Sequence, residues 1–495
     1  MNRLLRTISA ASILICSFNT ANSQEDNDWL GGYVQARREM LEGYDQFRKN
    51  ILTDYDEFLE GIWTEYEKFA GKERDLTPKP DEPPVYKPEQ EPEEPVVVSP
   101  TIPDIPSIPV VPTPEEPTVP KIEPPTIPAV PVVPTIPSQP TVEVDFFGER
   151  LNMPKVSGLD QSCNISATSD IASYWKQLKE SNLKNSVTTL KSCGKALGMS
   201  DWGLALIAEE YVASLMPSAT RNQKVIAQQF LLANSGYNVL LGMTGGYVVM
   251  LVPFAEEVYE MSYLNKEGTK YYLYPTDAPE ASVMSCELPD NADLGSSMGL
   301  RFSGNARTGN ASRHFELSGA GITISGSLST GIMPLINKYP IIPIPVVACS
   351  SIDKDLRLDI VEQIANQVEG LSEQQAANQI LHFVQKAFKY ATDNEQFGRE
   401  KYFYFEESLY YPMNDCEDRA IFFSYLIKEI LHLDVHLIHY PGHECTAIAF
   451  SSPVPNSTSY MYNGKRYYIS DPTYIGADIG QCMPDYQNVS PQIDL

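Results

Sequence analysis

Twenty-two of the chain's 39 prolines fall within residues 77–142. Each proline lacks a backbone donor and fixes its own φ. A run such as Pro103-Asp104-Ile105-Pro106-Ser107-Ile108-Pro109 can therefore build neither a helix nor an interior strand. Extended polyproline II is the predicted state, a semi-rigid spacer of up to about 3.1 Å per residue. This segment divides the 495 residues into a short N-terminal part and a long body, residues 143–495, which is large enough for two domains with cores of their own.

Charge narrows what such a chain can bind. Lys and Arg number 37 against 64 Asp and Glu, a formal net charge of −27. Phosphate neutralisation needs a basic face and none is visible, which argues against a nucleic-acid partner. An anionic membrane surface is disfavoured for the same reason.

Residues 1–23 read as a secretory signal peptide, with Arg3 and Arg6 ahead of a short apolar run and Ala21-Asn22-Ser23 as the cleavage site. The run is too short to span a bilayer, and bulky Ile15 before Cys16 makes a lipid anchor the less favoured reading. The expected product is exported, periplasmic or extracellular, with no transmembrane segment. Residues 24–76 read as a helical segment in which Tyr33, Tyr44, Tyr55 and Tyr66 recur every eleven residues, with Phe47, Phe58 and Phe69 three behind the last three. That period keeps the aromatics on one slowly drifting helix face. The stripe across 29–74 either packs on the chain itself or receives a protein partner.

Helical periodicity is expected over residues 166–215, then strands at 239–241, 247–253 and 270–274. Gly-, Ser- and Asn-punctuated runs at 299–331 predict β-hairpins, a Pro-interrupted strand follows at 341–347, and helix returns at 354–390. The predicted class is α+β, with 286–350 as a β-rich connecting region and 351–495 as the domain that carries chemistry.

In that last domain Asn414-Asp415-Cys416-Glu417-Asp418-Arg419-Ala420 opens a run with apolar residues at helical spacing. Cys416 is thereby placed at a helix N-terminus, where unpaired N–H groups and the helix dipole favour a thiolate. Strand-like residues 434–440 lead through Pro441-Gly442 to His443. After the hairpin signal Asn463-Gly464, the strand Tyr467-Tyr468-Ile469-Ser470 ends at Asp471-Pro472. A helix followed by strands of one sheet lets the three meet, with His443 taking the thiol proton and Asp471 fixing the imidazole tautomer.

On these three motifs the chain resembles the transglutaminase-like superfamily, in particular its bacterial, papain-like cysteine enzymes. The resemblance covers residues 355–486. It implies a helix bearing Cys416 packed on an antiparallel sheet bearing His443 and Asp471, and a thioester intermediate formed on an amide substrate. The catalytic candidates are Cys416, His443 and Asp471. The oxyanion would be met by the Cys416 N–H and by a side chain such as Asn414 or Tyr411. Asn414 also reads as a turn residue, Asp418 and Arg419 as a local ion pair, and Glu417 as solvated. The resemblance implies hydrolysis of peptide or other amide bonds ahead of amine transfer. The rival reading is a catalytically silent, surface-associated binding or scaffold protein.

No cofactor and no metal are expected. His432, His436, His439 and His443 lie close in sequence, but His436 and His439 fall on opposite faces of a strand. Beyond Cys16 the chain has seven cysteines. In an oxidising compartment these allow three disulfides and one reserved thiol, Cys416. The pairs proposed are Cys163–Cys193, Cys286–Cys349 and Cys445–Cys482, with a Cys416–Cys445 bridge as an alternative.

Residues 143–285 read as a degenerate copy of the same fold. Asp201-Trp202-Gly203 stands in the place of Asp415-Cys416-Glu417, Gly246 in that of His443, and Tyr274 or Pro275 in that of Asp471. Such a copy has no nucleophile.

Overall fold

Helices followed by antiparallel strands recur twice along the chain, giving a mixed α and β architecture. The structure, a computed structural model, describes residues 55–73, 79–88, 95–102, 139–279, 282–287 and 295–494. Residues 56–495 form one unit and the segment before them another. The signal peptide, Tyr33, Tyr44 and Phe47 lie outside the described residues, as does most of the linker. Among the described residues no helix is long and apolar enough to cross a membrane.

The first round starts with β1 (Trp63–Tyr66), β2 (Val97–Val98) and the hairpin β3 (Thr141–Phe146)–β4 (Glu149–Pro154). The helices α1 (Thr168–Glu180), α2 (Lys184–Ala196), α3 (Asp201–Leu215) and α4 (Arg221–Ser235) follow. Then come β5 (Leu240–Thr244), β6 (Tyr247–Val252), β7 (Tyr263–Lys266), β8 (Thr269–Tyr274) and β9 (Val283–Cys286), in a sheet of order β1-β9-β5-β6-β8-β7. Tyr66 and Phe69 therefore stand on extended chain, where a helix was expected. Helix ends by residue 60, and Trp63–Tyr66 pairs with Val283–Cys286. Gly61, whose N–H closes on Phe58, marks the break.

A hairpin, β10 (Ser312–Gly319) with β11 (Ile322–Ser329), and two short helices, α5 (Ile332–Ile336) and α6 (Ile344–Ala348), connect the rounds. The latter replaces the strand expected at 341–347. Pro345 lies in its first turn, where a missing N–H costs nothing.

The second round runs α7 (Lys354–Gln367), α8 (Glu373–Ala387), β12 (Lys389–Tyr390), α9 (Asp393–Phe397), α10 (Phe405–Tyr410), β13 (Met413–Asn414) and α11 (Cys416–Leu426). A π-turn, Ile427–Leu431, leads into β14 (Asp434–Tyr440), β15 (His443–Ala449), β16 (Ser459–Tyr462), β17 (Lys465–Ser470) and β18 (Gln492–Asp494). Their sheet has the order β18-β14-β15-β17-β16-β2. Apart from the added edge strands β1 and β2, the two sheets share one strand order and one set of antiparallel pairings.

Register makes the correspondence residue-specific. Thr244 pairs with Tyr247 across one two-residue turn, and Tyr440 with His443 across the other. Met250 pairs with Tyr274, and Thr446 with Ser470. Tyr247 thus holds the place of His443, and Pro275 that of Asp471. The helix that precedes each sheet and packs on its second strand is α4 in one and α11 in the other, so Arg221 matches Cys416. Trp202 does not. It is buried where the start of α3 meets the end of β8, packed on Phe254 and Tyr274, with its indole N–H donating to Lys338 O.

Segments of the proline-rich stretch are not free of the body. Val85 bridges to Ile475, Val97–Val98 adds a parallel strand to β16, and Thr101 exchanges backbone hydrogen bonds with Pro491 and Ile493. Proline spacing predicts an extended chain correctly here, but that chain is laid along the sheet. Residues 103–138 lie outside the described ones.

Candidate active site

Cys416 is the first residue of α11, with Asp415 as its N-cap. Asp418 carboxylate oxygens accept from the N–H of Asp415 and, at 2.8 Å, of Phe403, so the helix start is held by a carboxylate three residues in. Asp418 makes no ion pair with Arg419, contrary to expectation. The Arg419 guanidinium instead donates to Asn414 Oδ1 (2.9 Å) and Phe388 O (3.1 Å).

His443 opens β15. The turn before it needs a left-handed residue, supplied by Gly442 at φ 71°. Its Nε2 lies 2.8 Å from Asp471 Oδ2, and both side chains are buried. Asp471 follows β17 directly, and its Oδ1 accepts from the N–H groups of Thr473 (2.8 Å) and Tyr474 (3.2 Å). Gln385 on α8 pins this loop by donating to the carbonyls of Asp471, Tyr474 and Ala477 and accepting from Gly476 N–H. The Tyr486 ring stacks on the imidazole, 5.5 Å between centroids and 5° from parallel. Burial raises the Tyr486 hydroxyl to about 12, with the charges of Cys416, Asp485 and Asp471 adding to it.

The thiol itself is turned elsewhere. Cys416 Sγ hydrogen-bonds Glu417 Oε2 at 2.9 Å, and no hydrogen bond joins it to His443 among the described residues. Burial, then the Glu417 carboxylate, push this thiol well above its ordinary value. Two expectations are corrected here: Glu417 is buried, and the imidazole does not hold the thiol proton in this state. The reason is local. Glu417 is fixed by Lys79, whose ammonium lies 2.5 Å from its Oε1. Burial alone would raise Glu417, but Lys79 and the thiol bond bring it down to about 2.

Lys79 also reaches Asp415 and Glu400, each at 2.8 Å, and Asp393 at 4.0 Å. Burial, with like charge from the neighbouring carboxylates, pushes Asp415 and Asp418 well above the ordinary carboxylate range and Asp393 to about 7. The helix start is thus an acidic pocket filled by one lysine.

Of the oxyanion candidates, Asn414 is fully buried with Nδ2 unpartnered, a donor still to be used. Tyr411 packs among Phe397, Phe403 and Tyr410, and its hydroxyl meets Asn337. No described contact brings it to the thiol.

Two trios of metal-ligating side chains come within 4.8 Å: His443, Cys445 and Asp471, and Asp393, Asp415 and Asp418. The first contains the imidazole–carboxylate pair and the second carries Lys79. His436 stacks on Tyr467 (3.9 Å) and bonds Tyr460, whereas His439 pairs with Glu444. The seven cysteines described are all free thiols. The three proposed disulfides and the Cys416–Cys445 bridge are absent, although Cys445 and Cys482 share one core cluster.

Sequence reasoning missed Lys79, Gln385 and Tyr486, and read Glu417 as solvated. A lysine between prolines, or a lone tyrosine near the C-terminus, carries no local signal of the site it joins. No protein-family model matches the sequence, and no curated protein is significantly similar to it.

Proposed function

We propose that this chain is an exported transglutaminase-like cysteine enzyme with a papain-like core, acting on peptide or other amide bonds through a thioester. The observation that carries the reading is the 2.8 Å bond between His443 Nε2 and Asp471 Oδ2 on the sheet against which the Cys416 helix packs. That bond leaves Nδ1 to exchange a proton with the thiol. The first sheet gives independent support. There the guanidinium of Arg221, in the place of Cys416, lies 5.0 Å from the ring of Tyr247, in the place of His443. Helix start and strand start therefore approach one another in this architecture. We read residues 143–285 as a silent copy, whose three positions hold Arg221, Tyr247 and Pro275.

In the proposed reaction Nδ1 takes the Cys416 proton as sulfur bonds to the amide carbonyl carbon. The tetrahedral oxyanion is met by the Cys416 N–H and Asn414 Nδ2. The C–N bond then breaks, and the imidazolium returns its proton to the leaving amine. Water attacks the thioester in hydrolysis, or a primary amine in transfer, and Cys416 recovers its proton. Hydrolysis is the favoured outcome. Incubation with a glutamine peptide and a labelled amine tests this: deamidation or peptide cleavage without amine incorporation is expected, and amine incorporation marks transfer.

A second reading, a catalytically silent binding or scaffold protein, is favoured by one observation: the thiol is buried and bonded to Glu417. Absence of any acyl-enzyme at Cys416 once the thiol is accessible to an electrophile would select it.

A further inference from the structure

The covering of the Cys416 pocket comes from far away in sequence. Lys79 belongs to the proline-rich stretch, between Pro78 and Pro80. Its neighbours run on across the site. Tyr390 hydroxyl donates to Pro80 O (2.9 Å), and Ile475 N–H to Pro84 O (2.8 Å). Tyr86 N–H donates to Ile475 O (3.0 Å), with its ring edge-on to Tyr474 at 5.8 Å. Ile475 and Tyr474 belong to the loop that starts at Asp471, so one strap touches both the thiol end and the carboxylate end of the candidate triad.

The contact made by Lys79 is that of a ligand in a site. Its side chain is 9 % exposed, and the carboxylates of Asp415 and Glu417 flanking it are as deeply buried. Among the described residues it is the cation paired with Asp415, Glu417 and Glu400. Lys401 is taken by Glu407, and Arg357 by Glu406. Asp393 Oδ1 and Asp415 Oδ1, both buried, keep unpartnered acceptors beside it. Buried carboxylates without a cation are costly, and here the cation is lent by an extended, proline-flanked peptide. Extended proline-rich chain binds with little ordering entropy to lose.

We propose that the acidic pocket at Cys416 is a lysine subsite for an extended, proline-flanked peptide of the protein substrate, and that residues 79–88 occupy it in cis as a pseudosubstrate. This rests on Cys416 being the nucleophile. While the strap is seated, Lys79 holds Glu417 against the thiol and no substrate lysine can enter. Displacement or cleavage of the strap opens the site and returns the thiol to His443.

The test uses the full chain and reads iodoacetamide alkylation of Cys416 by mass spectrometry at pH 7.5. Lys79→Gln removes the cation. Tyr86→Ala loosens the strap and leaves lysine and pocket intact, so it decides the matter if Lys79→Gln does not fold. At least a tenfold rise in alkylation rate is expected in each folded variant. A synthetic peptide of residues 77–88 added to Tyr86→Ala should return the rate towards that of the parent, and the same peptide with Gln at position 79 should not. Unchanged alkylation in a folded Tyr86→Ala chain, or equal protection by both peptides, would overturn the proposal. Peptide protection without turnover of any amide substrate refutes the acyl-transfer reading and leaves the lysine subsite standing.

Discussion

Glu417 Oε2 accepts the hydrogen bond of Cys416 Sγ at 2.9 Å, while His443 is bonded to Asp471. A carboxylate against a thiol disfavours the thiolate twice over, through like charge and through a hydrogen bond that needs the proton in place. In this state one carboxylate holds the imidazole and another holds the thiol, so the two halves of the proposed triad are not joined.

Replacing Glu417 with Gln should therefore bring the thiol down. The variant loses one carboxylate contact to Lys79 and the charge beside the sulfur. The midpoint of the alkylation rate against pH should move at least one pH unit lower than in the parent chain. An unmoved midpoint in a folded variant would show that burial alone holds the thiol up.

Asp471→Asn separates orientation from folding. The new Oδ1 can still accept from Thr473 and Tyr474, but an amide donor then faces Nε2 and favours the wrong tautomer. Turnover of a peptide amide should fall about 10²- to 10⁴-fold, with the melting temperature within a few degrees of the parent. His443→Ala should fall as far. Activity retained in either variant would remove the pair from the mechanism.

Stability should decline from pH 5 to pH 9. Burial raises Asp393 to about 7 and Glu444 to about 8, so the native state binds these protons more tightly than the unfolded chain. Their contribution is complete below the ordinary carboxylate range and is lost as pH rises through 7 and then 8, on the order of a few kcal/mol in all. Glu417 runs the other way: its contribution is present above the ordinary range and lost as pH falls through about 2. Urea unfolding across pH 5–9 measures the decline, and Glu444→Gln should flatten its upper part. A flat profile in the parent chain would contradict it.

Trp202→Ala should cost about 3–5 kcal/mol, as for other large core truncations, without altering Cys416 alkylation in folded protein. The residue packs between α3 and the end of β8 in the first round, and among the described residues none of its ring or hydrogen-bond partners lies at the thiol. Parallel changes in melting temperature and alkylation rate would instead link the two sheets.

What could be read from the residues was what local rules decide. Cys416 at a helix start, His443 opening a strand after Pro441-Gly442 and Asp471 closing the next hairpin each follow from periodicity and turn chemistry within a dozen residues. The shared strand order was visible through the matching hairpins, but sequence placed its helix one element too early, at Trp202. The α3 run is apolar on nearly every side and so imitates a core helix at a site, whereas α4, opening at Arg221, is flecked with Gln and Asn. Tyr66 and Phe69 kept a helical spacing on extended chain because long-range pairing, of Tyr66 with Val283 on β9 and of Phe69 with Tyr263 at the start of β7, outweighs local preference. Lys79 was illegible for the same reason. Proline spacing tells that a chain is extended, and says nothing of which sheet edge or acidic pocket it will meet.

Val97–Val98 is the only strand beside the outer edge of β16 among the described residues. Peeling that short ribbon away strips Ser459 and Tyr460 of their backbone partners beside half-exposed Met461, leaving a template on which a neighbouring molecule can zip its own backbone. At high concentration, copies that have shed this ribbon should therefore trade ribbons or clump, and dilution should suppress both.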